Sequence, residues 1–467
     1  MHRPRHVSGR EDERSPVAWM GVSKTRLATL ALCALLIAAG QGPVESDSTA
    51  FVHVNVVPMD RERVLEDYTV VVHGDRIVAL GPAESTPVPA HTRRIEGAGR
   101  YLIPGLADMH VHLFEESDLL LYLANGVTTI RNLGGYGAAD TVLALRDRIE
   151  SGKLLGPQIF TSGNWLDGAP PVREINTVVT TAEAARREVA AEARAGYDFV
   201  KVYNNLSAEA YWAIVDEARR RGIPVTGHIP GSVGLDGVLE AGQVEIAHAG
   251  PMLWAVGWDA DSLAMARAAA WIAEAGIAVT ATLSMSELGI RQSGNTAEIA
   301  RVAERPENRY VPPSRRAFWR DENMFAGMPR RPEPRARLAT LRSFVGALRR
   351  AGVRVLAGTD ADVGGQIPGF SIHDELRNLV AAGFTPYDAL RSATADAYLF
   401  LADVLQDARP FGTIDVGSRA DLLLLEANPL DDVANVRRRA GVMVAGRWLP
   451  ESELESRLEA IAGSYRD

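Results

Sequence analysis

Residues 103–112 read IPGLADMHVH, an apolar run that closes on two histidines spaced i, i+2. Seven further runs downstream have the same texture: GVTTIRNLG (126–134), PQIFTSG (157–163), DFVKVY (198–203), IPVTGH (223–228), VEIAH (244–248), IAVTATL (277–283) and VRVLAGTD (353–360). Each is short and nearly apolar throughout, the pattern of a strand covered on both faces. Between them lie amphipathic stretches with helical spacing, among them residues 182–195 and 208–220. Strands alternating with helices imply a parallel sheet, and eight of them over about 300 residues suit a closed barrel. The fold class expected is therefore α/β, a (β/α)8 TIM barrel over residues 101–408.

Outside that span the texture changes. Residues 51–57 (FVHVNVV) and 68–81 (YTVVVHGDRIVALG) alternate and are broken by Gly, Pro and Asp, which reads as antiparallel strands and hairpins in a segment over 41–100. Residues 411–430 (FGTIDVGSRADLLLLEANPL) and 441–449 (GVMVAGRWL) repeat the pattern within 409–467, and a helix over 451–463 closes the chain. The stretch 284–341, rich in Arg, Pro and Glu, is longer than an ordinary strand-to-helix connection; it is expected to insert a helical lid over the barrel mouth.

Composition narrows the function. The chain of 467 residues is 46% hydrophobic and 23% charged, ordinary for a globular protein and unlike a collagen-like, disordered or polytopic membrane chain. Its net charge is −9 and it has no basic block that would track a phosphate backbone, so nucleic acid is not an expected partner. The single cysteine, Cys33, excludes a disulfide framework and a Cys-rich zinc site. It lies in the apolar run of 13 at 27–39 (LATLALCALLIAA), preceded by Lys24 and Arg26. A spanning helix needs about 20 such residues, so residues 1–40 read as a signal peptide or leader, with Met20 the alternative start and a membrane anchor the competing reading. The expectation is an exported protein, periplasmic or secreted, that touches a membrane only through an uncleaved leader.

The polar residues that end the runs are His110, His112, Lys201, His228, His248 and Asp360. In a barrel of this kind catalytic groups occupy the carboxyl ends of the strands. Residues at i, i+2 on a strand point to one side, so both imidazoles of HVH can reach one metal. A lone HxH is weak evidence; two more strand-end histidines and an aspartate aimed at the same mouth strengthen it. Lys201 adds a different kind of signal. The chain holds 47 arginines and only three lysines, and this lysine stands inside an apolar strand, where a bare ammonium is costly and the neutral amine is favoured. A neutral amine can add carbon dioxide to give a bridging carbamate, which a guanidinium cannot do. The plainer alternative is a lysine in a buried ion pair with a barrel carboxylate.

With these motifs in order, VVHGDRIVALGP, RYLIPGLADMHVHL, GVTTIRNLGG, DFVKVY, GHIP, AHAG, AGTDA, HDELRNLVAAGFTPYDALRSAT and GTIDVGSRADLLLLEANPL, the chain resembles the amidohydrolase superfamily over about residues 51–450. The similarity is to its binuclear branch, which contains prolidase-like, Xaa-dipeptidase and imidazolonepropionase-related enzymes. The resemblance implies a small β-sandwich assembled from both terminal segments. It also implies that His110, His112 and Asp360 bind a buried metal, His228 and His248 a more exposed one, and carbamylated Lys201 both. Asn132 departs from the Asp that relatives often carry there. The 284–341 insertion matches no family pattern.

The expected function follows. Two divalent cations, with zinc the expected metal, would share a bridging hydroxide that cleaves an amide bond, first in dipeptides or N-acyl amino acids. Asp360 would shuttle the proton. Tyr203, two residues after Lys201, would help polarise the carbonyl or simply pack the barrel. His373 would orient substrate or cap the helix starting near Ser371. A mononuclear deaminase or cyclic-imine hydrolase of the same superfamily would lack Lys201, and a non-catalytic scaffold would have lost ligands; a cyclic amide or lactone hydrolase of the superfamily stays as the alternative substrate reading. The partners expected are a small-molecule or dipeptide substrate and further copies of the chain in a homo-oligomer.

Overall fold

The computed structural model describes residues 48–135 and 139–465; the expected leader, with Cys33, lies outside them. In chain order the strands are β1 (Ser48–Val56), β2 (Leu65–His73), β3 (Arg76–Pro82), β4 (Arg93–Glu96), β5 (Tyr101–Pro104), β6 (Leu106–Val111), β7 (Val127–Asn132), β8 (Gln158–Asp167), β9 (Thr177–Val178), β10 (Phe199–Val202), β11 (Val225–Gly227), β12 (Glu245–Ala247), β13 (Ala278–Thr280), β14 (Val355–Leu356), β15 (Leu422–Leu425), β16 (Arg439–Val444) and β17 (Arg447–Pro450). They form two sheets.

The eight apolar runs of the sequence are the barrel strands, ordered β14-β13-β12-β11-β10-β8-β7-β6, with β9 paired to the end of β8. All neighbours are parallel. The ring is drawn shut where Met109 N–H donates to Ala357 O (2.9 Å) and Asp360 N–H to His110 O (2.8 Å), joining β6 to the segment after β14. Alternation along β10 explains the packing. Val200 and Val202 join the layer of helices outside, whereas Phe199 enters a floor shared with Phe160, Leu356 and Phe400. Fully burying each such side chain contributes about 1.5–3 kcal/mol, so the strands are fixed by what they cover on both faces. The flanking helices Ala182–Ala195 and Ala208–Arg221 start where Thr181 and Ser207 accept the backbone N–H of Ala184 and Ala210.

Both chain ends build the second sheet, ordered β17-β16-β15-β5-β1-β2-β3, with β4 on β1. Phe51 of β1 meets Trp448 of β17 edge-on at 5.3 Å, although three strands separate them in that order. The sheet therefore curls round its own apolar face, which holds Val54, Val70, Leu102, Leu422 and Met443, and this is the sandwich the resemblance implies. Its other face, with Ile103, Leu423 and Leu425, joins the barrel core.

The 284–341 stretch contains helices Thr296–Ala303 and Pro313–Asp321. Helix Pro334–Arg350 runs past residue 341 and leads into β14. Arg315 ties the stretch to the barrel, with ion pairs to Asp118 (3.0 Å) after β6 and Asp362 (2.9 Å) after β14. Trp319 Nε1–H donates to Asp362 O at 3.1 Å.

Candidate active site

β6 delivers its two histidines as the HVH spacing requires. His112 Nε2 lies 2.9 Å and His110 Nε2 3.4 Å from Asp360 Oδ1, and His248 Nδ1 lies 4.0 Å from Asp360 Oδ2. His248 is also in ring contact with His110 (4.6 Å between centroids) and His228 (4.9 Å). One ligand atom from each of His110, His112 and Asp360 falls within 4.8 Å of the others, close enough to surround one cation. Lys201 is fully buried in the β10 strand, which pairs its Cα with Thr226 of β11. Gly227, at φ 127°, leaves room for the lysine stem: a Cβ there would fall 2.9 Å from Lys201 Cδ and 2.4 Å from Val202 O.

Backbone conformation aims the remaining groups. His248, Thr282 and Asp360 have φ of 68°, 46° and 57°, left-handed values at three successive strand ends. Each costs about 1–3 kcal/mol and persists where the surroundings over-determine it. Outer contacts hold the rings. His112 Nδ1 donates to Gly134 O (2.7 Å) and His228 Nδ1 to Asn204 Oδ1 (2.6 Å), which leaves Nε2 of both with its lone pair. His248 Nδ1 is hydrogen-bonded to Thr282 Oγ1 at 2.8 Å.

The electrostatics favour cation binding. Burial first, and then the charge of Lys201 and the neighbouring imidazoles, holds His110 and His228 well below the ordinary histidine range, with Arg173 adding to the effect at His228. Burial pulls His248 down to about 4. Burial acts to raise the Asp360 carboxyl, but His248, His112 and Lys201 outweigh it, so the group stays ionised. Burial also brings the Lys201 amine down to about 8. His110, His228 and His248 are thus neutral donors beside one carboxylate. Neither ring nitrogen of His110 nor Lys201 Nζ has a hydrogen-bond partner among the described residues. Orphaned buried polar atoms cost about 1–3 kcal/mol each, so the residues present fit divalent cations.

Several functional neighbours have no local signature in the sequence. Trp165 stacks on Tyr203 (5.2 Å, 9°), Tyr203 stacks on His228 (4.0 Å), and Trp165 meets His112 edge-on (5.0 Å), forming one aromatic wall. Deeper in the barrel Arg131 pairs with Glu245 at 3.1 Å and donates to Met109 O (2.7 Å) and Thr280 Oγ1 (3.1 Å). Opposite charges inside the runs TTIRN and VEIAH were the signal for that pair. Asp108 accepts from Thr359 N–H (2.9 Å) and Oγ1–H (2.6 Å), clamping the strand ends that carry His110 and Asp360. Asn132 spends its side chain on the loop after His112: its Oδ1 accepts from Leu113 N–H (2.8 Å) and its Nδ2 donates to Thr161 (3.0 Å).

Tyr203 thus lies against the cluster, but His373 is not brought to it. It is the third residue of helix Ser371–Ala381, whose N-cap is Phe370, so it does not cap that helix. Its Nε2 meets Asn125 Oδ1 at 3.2 Å, and burial with Arg439 and Arg437 keeps its ring neutral. Its contacts are those of a packing residue between the barrel and the terminal sheet.

Comparison with known proteins agrees with this fold. Ochratoxinase of Aspergillus niger is 25% identical over 447 aligned residues, 81% of each chain. The structure of bottromycin amidohydrolase is 25% identical and superposes with a TM-score of 0.71 over 93% of each chain. A Xaa-Pro dipeptidase with methionine bound in its active site shares the fold, with a TM-score of 0.64 at 20% identity over 86% of this chain and 100% of its own. The amidohydrolase family profile matches residues 101–449, a span that contains all eight barrel strands and every strand-end ligand candidate. The chain belongs to the amidohydrolase family.

Proposed function

We propose that the protein is a metal-dependent hydrolase of amide bonds, acting on dipeptides or N-acyl amino acids. The observation that carries this is the cluster of His110, His112 and Asp360, with the buried Lys201 amine near enough for its charge to act on His110 and Asp360. Relatives named amidohydrolase and ochratoxinase support hydrolysis as the reaction class. His110, His112 and Asp360 would hold one divalent cation, His228 and His248 a second, with zinc suited to such nitrogen and oxygen donors. Bound cations supply Lewis acidity and make water a nucleophile near neutral pH.

The protein's own groups do the rest. Asp360, ionised and set among three imidazoles, accepts the proton of the attacking water and returns it to the leaving amine nitrogen, so one group serves both halves of the reaction. Lys201, brought down to about 8 by burial, would keep a neutral fraction able to add carbon dioxide with loss of a proton, and the resulting carbamate would offer the cations an anionic oxygen ligand. Tyr203 and Trp165 wall the site and orient the substrate carbonyl. The leader reading places this activity in an exported compartment.

The test is elemental analysis of purified protein together with a screen of dipeptides and N-acyl amino acids. About two divalent cations per chain and release of free amino acid are expected. One cation or fewer at full activity removes the binuclear assignment, and no turnover across the library removes the substrate class.

A further inference from the structure

Helix Leu283–Gln292 begins just after β13, and its start is capped from elsewhere in the chain. Thr282 holds the N-cap position, yet its side chain makes no capping hydrogen bond. Other threonines at that position behave in the ordinary way: Thr181 accepts from Ala184 N–H and Thr385 from Asp388 N–H, both with extended backbone. Thr282 instead has φ 46°, a left-handed value that a β-branched residue rarely adopts, and its Oγ1 lies 2.8 Å from His248 Nδ1. The donors at the helix start go to Glu375, whose Oε1 accepts Leu283 N–H (3.0 Å) and whose Oε2 accepts Ser284 N–H (2.6 Å).

Glu375 is fully buried on helix Ser371–Ala381, 92 residues from Leu283 in the chain. Two backbone N–H groups and the positive end of the helix favour an acceptor there, as they would a bound anion. The exchange of caps matters because the hydroxyl has two rival places. From an extended backbone Thr282 Oγ1 would take the N–H of Ser284 or Met285; from the left-handed one it reaches His248. The His248 main chain is fixed separately, with His248 N–H donating to Thr280 O (2.9 Å) and Ala249 N–H to Ala281 O (3.2 Å). The threonine hydroxyl therefore governs the ring. Asp360 Oδ2 lies farther from the same nitrogen, at 4.0 Å.

We infer that Glu375 is a positioning residue for His248: it caps the helix in place of Thr282 and so frees the threonine hydroxyl to accept His248 Nδ1–H, which leaves Nε2 with its lone pair for a cation. Without Glu375, the donors of Leu283 and Ser284 draw Thr282 into the ordinary cap conformation, and the ring loses its partner. Loss of such an outer hydrogen bond weakens metal binding about 10- to 100-fold. The inference rests on the metal-dependent reading for the cation and adds a residue that acts on it through two others.

The experiment measures zinc affinity, by competition with a chromophoric chelator, in wild type, Glu375→Gln, Thr282→Val, Thr282→Ser and the double variant of Glu375→Gln with Thr282→Val. The glutamine amide can accept only one of the two N–H groups, so Glu375→Gln should weaken one zinc site about 10-fold or more, as should Thr282→Val. Thr282→Ser, which keeps the hydroxyl, should stay near wild type. The double variant should bind no more weakly than Thr282→Val, because both changes remove the same hydrogen bond. Multiplied losses in the double variant, or an unchanged affinity in Glu375→Gln, overturn the assignment. Nitrogen-15 NMR of the metal-free protein separates it from the metal reading. If wild type binds no zinc, that reading fails, while a His248 Nδ1 resonance shifted alike by Glu375→Gln and Thr282→Val would still support the exchange of caps. Glu375→Asp, one methylene short of the helix start, should shift the same resonance and serves if the glutamine variant does not fold. A Glu375 variant that unfolds at lower urea but keeps the wild-type His248 resonance makes Glu375 a structural cap alone and rejects the coupling.

Discussion

Lys201 is the residue on which the proposed chemistry turns. It is one of three lysines in an arginine-rich chain, fully buried, with its amine unpartnered among the described residues. Two cations a few ångströms apart repel strongly, and four neutral imidazoles cannot offset that; a carbamate on this lysine would. Lys201→Ala is therefore expected to lose metal and activity together, by more than the about 10- to 100-fold that loss of an outer-layer partner costs. Lys201→Arg should fail as fully, and a short carboxylic acid in solution should restore part of both to the alanine variant. Metal content after gel filtration, read beside turnover, decides it: an arginine variant with two metals and normal rate would return Lys201 to an ion-pairing role. Lys201 was legible in the sequence because a rare residue type interrupts an apolar run. Trp165 was not, since its role depends on which rings it faces across the barrel mouth, and neighbours in sequence carry no trace of that. His373 was misleading for a related reason: a histidine after the last strand has the right position in the chain and the wrong surroundings in space.

At the scale of elements, the strands announced themselves, whereas the insertion announced its length and not what seats it. A strand buried on both faces must be apolar throughout, so eight such runs could be counted directly. What seats helix Pro313–Asp321 is instead a long-range ion cluster: Arg315, 6% exposed in its side chain, between Asp118 and Asp362, which are 1% and 0% exposed. Burial drives the Asp362 carboxyl well above the carboxylate range, and Arg315 is the principal force opposing it. Arg315→Met would leave two buried acids without their cation. Breaking one member of a buried pair costs about 3–5 kcal/mol, so the urea midpoint should fall accordingly and protease should cut first within 284–341. A change under about 1 kcal/mol, the range of a surface pair, would mean that the apolar contacts of Trp319 seat the insertion without help. Because Asp362 lies two residues beyond Asp360, loosening this clamp should also slow turnover, linking a helix with no catalytic group to the strand end that holds the proposed base.

Over the whole molecule, the two sheets share one core. The family match begins at residue 101, yet β1, from residues 48–56, lies between β5 and β2 in the terminal sheet. Residues before the match are thus required to complete a sheet whose other half follows the barrel. Leu423 shows how closely the parts are joined. It is fully buried in β15, pairs with Ile103 of β5 and Val442 of β16, and presses on the barrel where a Cβ at Gly126, just before β7, would fall 2.8 Å from its Cδ1. Leu→Ala at such a position costs about 2–5 kcal/mol, lost transfer energy plus the cavity left behind. If sheet and barrel unfold as one unit, Leu423→Ala should speed hydrogen exchange by the same factor in peptides from β2 and from β10, since both then exchange through a common global opening. Exchange quickened in β2 alone, with β10 untouched, would show that the terminal sheet opens independently, and the barrel would then have to hold its metal-site geometry without support from the chain ends.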